Sequence, residues 1–347
     1  MDKNPFTLMY GMPTPSLVSR EFDISTIIDS FVSQDNMFTY LITGIRGSGK
    51  TVLLKTVENR LATDFNWAVL NINPQGQILE SIANKLYDLA VINKLLGKIT
   101  VSVNLGVVTV TRDSGEKISD PEIVIEHFLK LFKKVNRPIL VSIDEVNDNQ
   151  EFRRFINFYQ ILIGKDYQLY LLMTALQENV NYLINDKAMT FLSRAPKIVL
   201  EPLPLTNVAL NYADIFNVDN NEATKMAKLT KGYAFAYQVL GYLLYKSNKN
   251  KIDNHIEYEY EQYLWKNGYN KFWKDLTNIE RKFLIAIANT NGSKEEIINN
   301  GFSSNNYSQY RRRLLEKGLI YSPMYGYLDF VLPRFKEYVL VTKEFED

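Results

Sequence analysis

Along the chain the spacing of apolar residues changes character, and each change marks an element. In DISTIIDSFVSQ (23–34), Ile24, Ile27, Ile28 and Phe31 recur at helical spacing behind Asp23, a suitable N-cap. TYLIT (39–43) then reads as a short buried strand, WAVLNI (67–72) as the next strand and QILESIANKLYDLAVINKLL (77–96) as a helix. Residues 99–112, ITVSVNLGVVTVTR, alternate apolar and polar around Gly106, which predicts an inserted hairpin. DPEIVIEHFLKLFKKV (120–135) predicts a helix capped by Asp120 with Pro121 at its first position. PILVSIDE (138–145) and YQLYLLMTAL (167–176) are continuous apolar runs, the form of strands covered on both faces, and KIVLEPL (197–203) is a fifth strand. Strands alternating with helices predict right-handed crossovers and an α/β fold, a parallel sheet with helices on both faces.

After Pro204 the strands stop. Residues 206–269 read as three or four helices, among them TNVALNYADIF and YAFAYQVLGYLLYK. Beyond them Thr277-x-x-Glu280 and Ser293-x-x-Glu296 are capping-box patterns, the first opening a helix with Ile279, Phe283 and Ile287 on one face. A third helix runs from about Ser304 to Lys317 and is closed by Gly318. GLIYSP (318–323) and YLDFVL (327–332) form a hairpin around Tyr325-Gly326. Helix, helix, helix and wing is the order of a winged helix.

Composition narrows the chemistry. At 347 residues the chain exceeds one small core, and 46% hydrophobic with 23% charged residues is ordinary for a globular protein. Lys+Arg (40) and Asp+Glu (39) nearly cancel, so a nucleic-acid surface has to be a local patch. The absence of cysteine excludes disulfides, zinc fingers and thiol catalysis. The two histidines, His127 and His255, lie far apart and read as helix-surface residues rather than a metal site. There is no signal-peptide pattern and no apolar run near the ~20 residues that span a bilayer, so a cytoplasmic protein with no membrane partner is expected.

Residues 44–51, GIRGSGKT, fit the P-loop pattern G-x-x-x-x-G-K-[ST] between an apolar strand and a helix. Gly44, Gly47 and Gly49 let the backbone turn tightly and aim its amides inward as an anion nest, with Ile45, Arg46, Ser48 and Val52 completing the segment. The helix that follows points its positive end at the phosphates. Lys50 reaches the outer phosphates and the Thr51 hydroxyl is a ligand for Mg²⁺. Asp144 ends the strand ILVSIDE, at the sheet edge where such folds bind ligands, and is the second Mg²⁺ residue. Glu145 is the candidate general base for the attacking water. Thr174 ends the next strand, where its hydroxyl could reach the γ-phosphate or that water. Arg194, in FLSRAP before the fifth strand, is either an arginine finger or an ordinary surface arginine. ATP and Mg²⁺ are the expected cofactors.

With these residues in place, the chain resembles the AAA+-type P-loop ATPases related to archaeal and bacterial origin-recognition-like ATPases. PSLVSREFDISTIIDSF (15–31) resembles the family's N-terminal "F-V-G-R-E" box, which lines the adenine pocket and brings in Arg20. GIRGSGKT and LVSIDE match its nucleotide motifs. SRAPKIVLEPL (193–203) resembles the segment carrying the finger arginine, LTKGYAFAYQVLG (229–241) the start of the lid helix, and residues 276–339 the C-terminal winged helix. The resemblance implies a P-loop ATPase domain over 1–204, a helical lid over 205–270 and a winged helix over 271–347. The chain departs from the pattern at Ser19, where the family usually has glycine, and at Gly232-Tyr233-Ala234, which lacks the lid's usual sensor arginine. The second departure implies ATP turnover that is slow or needs a partner.

In the third helix of the C-terminal module, steps of about 100° per residue gather Tyr307, Tyr310 and Leu314 on the core side. Asn305, Gln309, Arg312, Arg313 and Glu316 fall on the opposite side, and Asn305, Ser308, Gln309, Arg312 and Arg313 are the candidate DNA-binding residues, side chains suited to duplex DNA. The leading expectation is an ATP-hydrolysing protein whose nucleotide state regulates binding of double-stranded DNA by the winged helix. A signalling ATPase that controls self-assembly or a protein partner, with the winged helix as docking module, is the alternative. A motor or loader is a third reading.

Overall fold

A computed structural model describes residues 3–9, 18, 20–33, 37–92, 95, 100–104, 107–111, 117–185 and 189–344. The chain divides into two compact units, one of Arg20–Thr43 and Lys50–Val199, the other of Met1–Ser19, Gly44–Gly49 and Leu200–Asp347.

The first unit is built on a parallel five-stranded sheet of β1 (Thr39–Thr43), β2 (Ala68–Ile72), β6 (Ile139–Ile143), β7 (Leu169–Ala175) and β8 (Lys197–Val199), in the spatial order β2-β6-β7-β1-β8. Strands β1, β6 and β7 are buried along their whole length, as their unbroken apolar runs require. Around the sheet lie α1 (Glu21–Val32), α2 (Lys50–Asp64), α3 (Ile78–Ile92), α4 (Pro121–Lys134), α5 (Gln150–Ile163), α6 (Gln177–Asn185) and α7 (Thr190–Arg194). Helix α4 starts as its sequence dictates, with the Asp120 carboxylate accepting from the Glu122 and Ile123 amides. The expected insertion is present as β3 (Thr100–Asn104) antiparallel to β4 (Val107–Thr111), extended by β5 (Lys117–Ile118). Gly106 lies outside the described residues.

The second unit is helical. It holds α8 (Leu205–Phe216), α9 (Asn220–Thr230), α10 (Ala234–Lys246) and α11 (Asn254–Leu264), which runs through a π-helical turn (Trp265–Tyr269) into α12 (Asn270–Lys274). Then come α13 (Asn278–Asn289), α14 (Lys294–Asn299), α15 (Ser304–Glu316), the hairpin β9 (Ile320–Tyr321) and β10 (Asp329–Phe330), and α16 (Phe335–Lys343). The residues expected as lid and as winged helix share one hydrophobic core. Phe6 enters that core against Tyr212, Phe216 and Tyr237. A glycine in mid-helix ordinarily costs about 1 kcal/mol, but a Cβ on Gly241 of α10 would lie 2.3 Å from the Phe6 ring.

The capping box at Thr277 and Glu280 forms in full. The pattern at Ser293 forms by half: Ser293 accepts from the Glu296 amide, while the Glu296 carboxylate accepts from the Asn291 amide instead. Ile279 departs from its expected face, being 47% exposed while Phe283 and Ile287 are buried. The buried stripe of α13 is centred one position further round, and the capping carboxylate of Glu280 occupies it.

Candidate functional site

In the sheet unit, the end of β6 and the end of β7 are locked together. The register pairs Ile143 with Met173, which brings the next residues, Asp144 and Thr174, side by side. The Thr174 hydroxyl donates to Asp144 Oδ1 at 2.5 Å and accepts from the Glu145 amide at 2.8 Å. The Val146 amide donates to the Thr174 carbonyl at 2.8 Å. This bracket holds Glu145 at φ +57, a conformation that costs a non-glycine residue of order 1–2 kcal/mol. The other carboxylate oxygen of Asp144 accepts from the Thr51 hydroxyl at 2.7 Å, in the first turn of α2. Asp144 is half-buried, Glu145 exposed and Thr174 fully buried. Thr174 thus spends its hydroxyl on Asp144 and on the backbone that carries Glu145, a role that its position at a strand end did not reveal. Its own sequence signal was only a polar residue just before the end of an apolar run, and β7 in fact continues through Ala175.

Lys50 opens α2 and is buried, and Val52 is half-buried in the same turn. Thr51 and Asp144 offer hard oxygen donors to one point, the chemistry Mg²⁺ selects. Among the described residues no group of three or more acidic, histidine or cysteine side chains could hold a metal by itself. A divalent ion at Thr51 and Asp144 therefore fits one that takes its remaining ligands from phosphate and water.

Arg20 stands at the N-cap of α1, half-buried and 3.8 Å from the Asp23 carboxylate. Next to it Glu21 takes both guanidinium nitrogens of Arg60. Ser19 lies outside the described residues. Arg194 ends α7, exposed and in no ion pair among the described residues.

The glycine segment belongs to the helical unit. Gly44, Gly47 and Gly49 have φ of +155, +77 and +98, so the last two sit where side chains are disfavoured. Gly44 and Ser48 are buried, whereas Ile45, Arg46, Gly47 and Gly49 are half-buried. The Ser48 amide closes a turn onto the Ile45 carbonyl at 3.2 Å. The start of α10 touches the segment: the Tyr233 hydroxyl donates to the Arg46 carbonyl at 2.8 Å and the Phe235 amide to the Gly47 carbonyl at 3.1 Å. The end of α15 touches it too, since a Cβ on Gly318 would lie 2.1 Å from Cγ2 of Ile45.

Helix α15 divides as its pattern predicts except at Glu316, which is half-buried instead of standing on the open face. Tyr307, Tyr310 and Leu314 are buried, and Asn305, Ser308, Gln309, Arg312 and Arg313 are all exposed. Ser308 donates to the Ser304 carbonyl, and the Arg313 guanidinium lies 5.6 Å from the Tyr310 ring centre. No carboxylate pairs with Arg312 or Arg313 among the described residues, whereas Lys317 pairs with Glu280 at 3.4 Å. No described helix is long and apolar enough to cross a membrane.

Solved structures share this architecture. The Walker-type ATPase of Pyrococcus abyssi is 15% identical over 93% of this chain and 96% of its own, with a TM-score of 0.67. The ORC2 protein of Aeropyrum pernix, in its ADPNP–ADP complexes, is 12% identical over 97% of this chain and 98% of its own, with a TM-score of 0.62. At these identities the likeness is one of fold. The family described as "Domain of unknown function (DUF8462)" matches residues 266–339. No curated protein matches the chain.

Proposed function

We propose that this chain, which has the P-loop fold of the origin-recognition-like AAA+ ATPases, binds and hydrolyses ATP with Mg²⁺ and that its nucleotide state regulates DNA binding by α15. The observation that carries the nucleotide reading is the hydrogen bond between Thr51, which completes GIRGSGKT, and Asp144, 93 residues away at the end of an apolar strand. In this reading Gly44 to Val52 bind the phosphates, Thr51 and Asp144 hold Mg²⁺, and Arg20 flanks the base. The bound ion neutralises phosphate charge. Lys50 contributes a fixed positive charge to the phosphates. Glu145, exposed at the tip of a strained turn, takes the proton of the attacking water. Thr174 keeps Asp144 and the Glu145 backbone in place, and Arg194, exposed, is available to a neighbouring subunit's nucleotide.

Asn305, Ser308, Gln309, Arg312 and Arg313 are the proposed DNA contacts, supported by their exposure and by the absence of carboxylates paired with the arginines among the described residues. The docking-module reading has one observation in its favour: Met324 and Tyr325 at the wing tip are strongly exposed apolar side chains. Calorimetry tests the nucleotide site, and a duplex titration separates the DNA reading from the docking-module reading. Lys50→Ala abolishes Mg·ATP binding in calorimetry with the fold intact, and Glu145→Gln binds ATP but turns it over about 10²–10⁴-fold more slowly. Labelled duplex titrated at two salt concentrations binds the parent, and Arg312→Ala with Arg313→Ala weakens it and flattens the salt slope by up to about one contact each. A parent that ignores duplex with and without ATP moves the conclusion to the docking module.

A further inference from the structure

The lid helix α10 is capped by backbone that is not its own. Tyr233 sits at the N-cap and makes no side-chain cap hydrogen bond. The first amides of any helix lack an internal partner. Here the Phe235 amide, in the first turn, is satisfied by the Gly47 carbonyl, and the Tyr233 hydroxyl adds a bond to the preceding carbonyl, Arg46. Tyr233 is buried, its ring edge-on to Phe235 with centroids 6.1 Å apart. A Cβ on Gly47 would lie 2.3 Å from the Tyr233 hydroxyl oxygen. The P-loop pattern leaves position 47 open, so this close approach and the φ of +77 are what require glycine there.

A planar trans peptide points its carbonyl and the following N–H in opposite directions. Holding the Arg46 carbonyl therefore aims the Gly47 N–H away from α10. Holding the Gly47 carbonyl does the same for the Ser48 N–H, which turns in toward Ile45. In the nucleotide reading the Gly47 N–H belongs to the nest that cradles the inner phosphates, and the Ser48 N–H, donated to the Ile45 carbonyl, closes the turn that shapes it.

We propose that Tyr233 is a positioning residue for polyphosphate binding: together with the Phe235 amide it fixes the Arg46 and Gly47 peptide planes, and so orients the Gly47 N–H and the turn that the Ser48 N–H closes onto Ile45. The inference rests on the nucleotide reading above. Tyr233 acts on the stretch of loop that serves phosphates common to ADP and ATP. Unlike an arginine that touches the γ-phosphate, it raises affinity for both nucleotides by the same factor.

The test is Tyr233→Phe, which keeps the ring in the core and removes one hydroxyl. Calorimetry with Mg·ADP and with Mg·ATP shows both affinities reduced about threefold to tenfold, the scale of one neutral hydrogen bond, with their ratio unchanged. Amide exchange in the peptide covering residues 44–49 becomes faster in the nucleotide-free variant. A merely structural hydroxyl would lower the unfolding midpoint and leave affinity and loop exchange as in the parent. Unchanged affinities and exchange, or a loss confined to ATP, overturn the proposal while leaving the nucleotide site standing. A parent that binds neither nucleotide overturns the site reading and this inference with it.

Discussion

Replacing Thr174 with valine removes a hydroxyl and almost no volume, so it isolates the bracket between β6 and β7. The parent hydroxyl serves Asp144 at 2.5 Å and the Glu145 amide at 2.8 Å. A hydrogen bond to a charged group is worth about 1.5–3 kcal/mol, and a buried amide without a partner costs about 1–3 kcal/mol. Asp144 is half-buried and Glu145 exposed, so water replaces part of both, and the new methyl adds about 1 kcal/mol of apolar burial. The net loss is about 1–3 kcal/mol, which lowers the melting transition of the sheet unit by roughly 2–10 °C. Because Asp144 is then oriented, among the described residues, by Thr51 alone, the concentration of Mg²⁺ needed for tight ATP binding rises. Thr174→Ser is the control: it keeps the hydroxyl and loses one methyl, so it melts lower by a few degrees but keeps the parent's Mg²⁺ dependence. The assay is thermal unfolding by circular dichroism together with calorimetric ATP titrations over a Mg²⁺ series. If valine and serine variants show the same Mg²⁺ dependence as the parent, Thr174 does not position Asp144.

Two further outcomes follow from packing and charge. Gly241→Ala forces Phe6 from its place beside α10; the lost burial of about 1.5–3 kcal/mol outweighs the roughly 1 kcal/mol gained in helix propensity, and limited proteolysis finds residues 3–9 newly sensitive. Glu126 is held below the usual glutamate range, first by its hydrogen bond from Lys165 at 2.8 Å. A depressed folded-state pKa means its contribution is complete above the ordinary carboxylate range and is lost as pH falls through the lowered value. Glu126→Gln therefore costs at most about 1 kcal/mol at pH 7, and urea midpoints of variant and parent converge as the solution is acidified.

What the sequence disclosed and what it withheld divides along the range of the interactions. Strands β1, β6 and β7 were legible because burial on both faces leaves unbroken apolar runs. The N-caps at Asp120 and Thr277 were legible because donor and acceptor lie within a few residues. The start of α16 carries no such signal: Arg334 holds φ +56 with no side-chain cap, and its guanidinium is held by Glu257 and Glu261 of α11. The half-formed box at Ser293 shows the same limit, since the Glu296 carboxylate goes to an amide that the Gly292 turn presents. GIRGSGKT and Asp144 stand out in the sequence as residue types at a spacing, but the partner of Thr174 depends on a strand register. The partner of Tyr233 lies 187 residues away.

Two separate hydrogen-bond systems thus hold the two ends of GIRGSGKT. Thr174 and Asp144 orient Thr51, and Tyr233 with the Phe235 amide orients Gly47 and Ser48. They share no residue and no partner atom. Free energies of substitutions more than about 7–10 Å apart that share no partner add within about 0.5 kcal/mol, while members of one network do not. The variant carrying both Thr174→Val and Tyr233→Phe therefore binds Mg·ATP with the product of the two single fold-losses. Affinity for ADP measured without Mg²⁺ separates the systems further: the loss from Tyr233→Phe persists because the amides remain the phosphate donors, and the loss from Thr174→Val vanishes because there is no ion for Asp144 to hold. A double variant no weaker than the worse single variant means that both act through one shared rearrangement of the loop. That result would replace two positioning devices with a single conformational equilibrium on which both substitutions draw.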